Sequence, residues 1–266
     1  MWLKAAAVAA GLAVGVAAPG RAADNPPGKP VYAFGTMKAV DTATAKAKAE
    51  AFLKTAGTSF DKAAFDAIWA NESRTVLDRT ADSLVLSNTE AAAALAGARK
   101  ADAPAPVAAP AFFKDAAIDP FFRANVAAAY AKALAGKNVF EEALDALKVV
   151  QPELVVDPAS FYFHKAVAEN KLTLRDQATV SIARLLDDVA DAPDRYKMVA
   201  TLMFFDMQNW SRDEKDLTNI GRLMDNSGRR LDLARGGPQT QDIQKKIVFR
   251  LDEVIKDLEN QAKGGT

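Results

Sequence analysis

Three carboxylates crowd the stretch LLDDVADAPDR: Asp187, Asp188 and Asp191 have the D-D-x-x-D spacing that could hold a divalent cation. Oxygen ligands of this kind suit Mg²⁺, which keeps several of its waters. His164, in DPASFYFHKAVAENK, is the only histidine, and the chain has no cysteine. A general base or a zinc ligand needs partners, so a lone histidine without thiolates reads as structural unless Asp or Glu joins it. The acidic trio has a plainer reading too. Asp187 and Asp188 would end one helix while Asp191 or Asp194 begins the next, where a carboxylate satisfies free amides. WSRDEKD, with Asp213, Glu214 and Asp216, reads as an acidic first turn in the same way.

Other chemistries lack their residues. Without cysteine there is no thiol nucleophile, thiolate zinc site or iron–sulfur cluster. No G-x-S-x-G, P-loop or dinucleotide glycine pattern occurs, and the spaced ligands of an EF-hand are missing. The D-D-x-x-D form resembles the motif with which all-helical prenyl-chain enzymes hold magnesium and pyrophosphate. That resemblance implies a metal-dependent enzyme or small-ligand binder built on Asp187, Asp188 and Asp191, but a second metal motif on a later helix is missing. The expectation is a non-enzymatic chain with no catalytic residue, metal or cofactor, with the acidic cluster as the alternative.

The chain has 266 residues, half of them hydrophobic, with 34 basic and 34 acidic side chains, enough to bury a core. Balanced charge without a dense Lys/Arg block gives no footprint for nucleic acid. At the N-terminus, Lys4 precedes an apolar run from Ala5 to Ala18, and Pro19, Gly20, Ala22 and Ala23 follow. This is the order of a signal peptide, residues 1–22, and the run is shorter than the ~20 residues of a spanning helix. Cleavage removes Lys4 and Arg21, leaving a mildly acidic chain expected in the periplasm or outside the cell, with no membrane span.

Residues 23–100 read as a helical segment. Gly57 ends a first helix, Ser59 and Thr89 open others, and SRTVLDRTADSLVLS is either helix or a helix ending in a short strand. ADAPAPVAAPA, residues 101–111 with Pro104, Pro106 and Pro110, reads as a linker to a second lobe, 112–266. There Asp119-Pro120 and Asp157-Pro158, 38 residues apart, open helices as N-cap and first-turn proline. Each leads to a second amphipathic stretch, VFEEALDALKVV and RDQATVSIARLLDDV. DAPDRYKMVATLMFFDMQNW and the segment from Glu214 to Pro238 read as a third hairpin.

Small residues recur at intervals of 35: Ala131, Ala166 and Thr201 on the first helices, Ala143 and Ala178 on the second, with Asp213 breaking the series. This resembles degenerate tetratricopeptide-like helical hairpins, which repeat at ~34 residues. The resemblance implies an all-α fold of stacked antiparallel hairpins in a short solenoid-like array, offering a groove to a peptide or protein partner. On the first helix of the second hairpin, Ser160, Phe163, Val167 and Asn170 are the candidate groove residues. The doublets Phe112-Phe113, Phe121-Phe122 and Phe204-Phe205, and the triplet Phe161-Tyr162-Phe163, can each serve the core and an adjoining face.

The final helix, 239–262, spaces Ile247, Leu251, Val254 and Leu258 as a seam, to cap the stack or form a homodimer. Taken whole, DAPDRYKMVA, RRLDLARGGP and this terminal helix resemble a set of secreted proteins of planctomycete bacteria. That resemblance implies location and helical content and carries no activity.

Overall fold

The structure, a computed structural model, describes residues 34–56 and 60–264. The leader 1–22 and the positions Gly57 and Ser59 lie outside the described residues. Among the described residues the fold is all-α, with eleven α-helices and three short 3₁₀ turns. None of these helices is long and apolar enough to cross a membrane.

Side-chain caps start the first four helices: Asp41 for α1 (Thr42–Thr55), Asp61 for α2 (Lys62–Ala70), Thr75 for α3 (Val76–Leu84) and Asn88 for α4 (Thr89–Arg99). SLVLS makes no strand. It tightens into a 3₁₀ turn, Val85–Ser87, because the Ser87 hydroxyl donates to Leu84 O at 2.8 Å and Asn88 starts the next helix.

Residues 101–111 do not separate two lobes. Both α3 and α4 pack on α5 (Pro120–Ala135), and one core cluster runs from Ala45 to Met207. The Phe52 ring of α1 lies 5.5 Å from that of Phe122 on α5. The Pro-rich segment is a strap across this body: Lys137 donates to Lys100 O and Ala103 O, and Arg235 to Pro106 O. Fully buried Phe65, Leu77, Phe113 and Phe122 each contribute about 1.5–3 kcal/mol through loss of hydrated apolar surface.

Asp119 caps α5 by accepting Phe122 N at 3.0 Å, and Asp157 caps α7 (Pro158–Lys171) by accepting Ser160 N at 2.9 Å, each with proline next. α5 packs on α6 (Phe140–Leu147) and α7 on α8 (Arg175–Asp187), while α7 also lies against both α5 and α6. Ala131, Ala143, Ala166 and Ala178 sit at these contacts with at most 1% exposure, which lets the helices approach closely.

The two turns are the same turn. Asn138 and Thr173, 35 residues apart, both take positive φ, 59° and 60°. Val139 N then bonds Leu134 O at 3.0 Å and Leu174 N bonds Glu169 O at 2.8 Å, the six-to-one link of a Schellman stop.

α9 (Asp194–Gln208) packs on α7 and α8, but the chain does not close a third hairpin with it. α10 (Leu217–Asp232) packs on α11 (Pro238–Gly264) instead. Ile247 is buried in α11, Leu251 and Val254 are half-buried, and Leu258 is exposed. The C-terminal end of α10 is tied to the start of α6. Arg229 reaches Asn138 O at 2.9 Å and the Glu141 carboxylate, Arg230 also reaches Glu141, and Arg235 pairs with Glu142 at 3.0 Å. A third turn with positive φ, at Ala234 (57°), ends α10.

Candidate functional site

Ser160, Phe163, Val167 and Asn170 share one side of α7, yet that side is occupied by packing. Ser160 is buried. The Phe163 ring lies flat on Tyr196 of α9, centroids 4.1 Å apart and planes within 7°. Val167 packs with Leu172 and Leu174 against Phe140 and Leu144, and Asn170 is half-buried. α9 and the α7–α8 turn therefore cover the groove expected on α7.

His164 stays on this helix as a structural residue. Its Nδ1 lies 2.7 Å from Ser160 O, and since a carbonyl only accepts, Nδ1 carries the proton and donates. Burial drives its pKa down to about 4, outweighing that hydrogen bond, which acts to raise it. The ring is neutral near pH 7.

The acidic trio does not form one site. Asp187 ends α8 and its carbonyl accepts Gly35 N at 2.8 Å. Asp188 is buried and pairs with Arg184 at 2.7 Å. Asp191 turns both carboxylate oxygens to Ala39 N, at 3.1 and 3.0 Å, beside the bridge between Met37 and Val189. The D-D-x-x-D spacing here ties the segment before α1 to the α8–α9 connection. Among the described residues no group of three or more His, Cys, Asp or Glu is placed to hold a metal ion. Asp216 caps α10 by accepting Thr218 N at 2.9 Å, while Asp213 and Glu214 precede the helix.

One exposed apolar stripe lies on α9. Its inner side, with Ala200 and Met207 buried and Tyr196, Met203 and Phe204 half-buried, packs on the core. Its outer side carries Met198, Leu202 and Phe205, 63%, 63% and 60% exposed, flanked by Val199. These residues stand at i, i+4 and i+7, one helical stripe. Of the aromatic doublets, Phe112-Phe113 is buried whole and Phe205 is the member that faces solvent. Sequence spacing held this signal: α9 is apolar on nearly all sides, which a helix covered on one side does not need.

No protein-family model, curated protein or solved structure matches the chain.

Proposed function

We propose that the chain is a secreted, non-enzymatic interaction module of the cell envelope. Its hairpins α5–α6 and α7–α8, with α9, are read as a short solenoid-like, tetratricopeptide-like array, a reading supported by the matched turns at Asn138 and Thr173. The observation that carries the function is the bare stripe of Met198, Leu202 and Phe205.

In this array α5 is flanked by α7 and α7 by α9, so each helix covers the one before it. The place beyond α9 is open. Its occupant is an amphipathic helix of a partner protein, because the stripe has helical spacing, is uncharged at its centre, and suits helix-in-groove docking. In a pull-down from envelope extract, the wild-type chain retains one stoichiometric partner that Leu202→Asp loses. The same proteins captured by both baits would contradict the reading.

Exposure of Val248, Phe249, Ile255 and Leu258 on α11, at 58%, 58%, 53% and 58%, favours a homodimer through that helix as a second reading. A monomeric mass at high concentration would remove it.

A further inference from the structure

Beside α10 lies a cavity of about 940 Å³, walled by the start of α8, the residues after α9, and the first halves of α10 and α11. Four cations line it: Arg175 on α8, Arg212 in the α9–α10 connection, Arg222 on α10 and Lys246 on α11. Among the described residues none of the four is in an ion pair. Their neighbours are: Arg229 and Arg230 hold Glu141, and Arg250 holds Glu214 and Glu253.

The acidic groups nearby offset this charge only in part: four cations meet two wall carboxylates, and Arg222 also faces the charge of Asp216. Asp176 and Glu214 belong to its wall, and Glu214 is engaged by Arg250. Asp216 spends its carboxylate on the amides of Thr218 and Asn219, and Asp213 accepts from Lys215 N.

Two of the guanidinium groups are already held in place. Arg222 lies over Trp210, 4.4 Å from the ring centroid, and donates to Asn219 Oδ1 at 2.5 Å. Asn219 is itself fixed by Ser211 O and Asp213 O at 2.9 and 2.6 Å. Arg175 donates to Trp210 O at 3.2 Å. Each keeps most of its fork of donors for a ligand, and a guanidinium held by stacking loses little freedom on binding an anion.

We propose that this cavity binds a small ligand bearing at least two anionic groups, phosphate or carboxylate. Arg175 and Arg222, both held at Trp210, meet one group, which leaves Arg212 and Lys246 of the wall for the rest of the ligand. A single acetate-sized anion would leave two cations uncovered, whereas pockets of ~300–1,000 Å³ suit larger ligands. The site is independent of the stripe on α9.

Calorimetric titrations and thermal melts of the purified chain with inorganic pyrophosphate and with citrate, against sodium chloride at matched ionic strength, test the proposal. At least one anion gives saturable binding and a higher Tm, weakened about tenfold or more in Lys246→Gln and Arg222→Gln and unchanged in Lys54→Gln. Binding of pyrophosphate alone assigns a phosphate ligand, and of citrate alone a carboxylate ligand. Because Arg222 also packs on Trp210, the exposed Lys246 is the deciding position. No binding at millimolar concentration, or equal weakening by Lys54→Gln, would overturn the proposal.

Discussion

Arg229 of α10 and Glu141 of α6 meet in a two-pronged ion pair, with nitrogen–oxygen distances of 2.8 and 2.6 Å, and this contact fastens α10 to the start of α6. Arg230 joins the same carboxylate, so two neighbouring guanidinium groups of α10 share one anchor on α6.

Replacing Glu141 by Ala leaves Arg229 and Arg230, whose side chains are 12% and 8% exposed, without this partner. A cost of roughly 2–4 kcal/mol follows from stranding the guanidinium groups. Hydrogen exchange should rise in α10 and α11 while α5 to α8 keep their protection; a uniform rise would sink this. Burial pushes the Glu141 pKa up, but hydrogen bonds and charge from Arg229, and then Arg230, prevail and hold it at about 2. Its stabilisation is complete above the ordinary value of 4.5 and is lost as pH falls toward 2.

His164 gives a second pH dependence. With its pKa lowered from 6.5 to about 4 by burial, the unfolded chain binds its proton first as pH drops. Stability is full above pH 6.5, falls between 6.5 and 4, and loses nothing more from this group below that. The drop is at most about 3 kcal/mol. Asp157 and Glu169, both raised by burial, slope the other way above their ordinary values. The difference between wild type and His164→Asn in urea melts from pH 4 to 7 isolates the histidine. A difference that does not change with pH would contradict its neutral, buried state.

Ala234 takes a left-handed conformation, φ 57°, on an exposed turn. Glycine adopts that region without a Cβ penalty, so Ala234→Gly is expected to stabilise the chain by roughly 0.5–1 kcal/mol. Thermal melts read this directly, and a lower Tm would show that the turn is set otherwise.

Phe163 and Leu202 separate packing from docking. Phe163→Ala removes the ring stacked on Tyr196 and should cost about 2–3 kcal/mol, while exposed Leu202→Asp should change stability by less than about 0.5 kcal/mol. Equal losses in chemical denaturation would mean that the Leu202 face is buried.

Local signals in the sequence were legible where one residue does one job. Asp119 and Asp157 before proline opened helices as capping chemistry requires, and the alanines at intervals of 35 fell at helix contacts. At Asn138, Thr173 and Ala234 the left-handed residue itself is not glycine, so the type of each turn was not announced. The placement of α10 was not legible, because it rests on a pair 88 residues apart in sequence, Glu141 and Arg229. D-D-x-x-D fitted both a metal site and separate helix-end roles, because spacing alone does not tell a shared ligand from three separate tasks. Pro104, Pro106 and Pro110 ruled out helix but not packing, so a strap read as a linker. The groove on α7 failed for a related reason: whether Phe163 is open depends on where Tyr196 lies.

The most direct test of the α9 surface is photo-crosslinking in producing cells, with the reactive side chain placed at position 202 in one variant and at position 163 in another. A partner protein is expected to be joined from position 202 through an amphipathic helical segment, and none from position 163. A partner captured only from position 163, or a second copy of the chain captured from position 202, would contradict it.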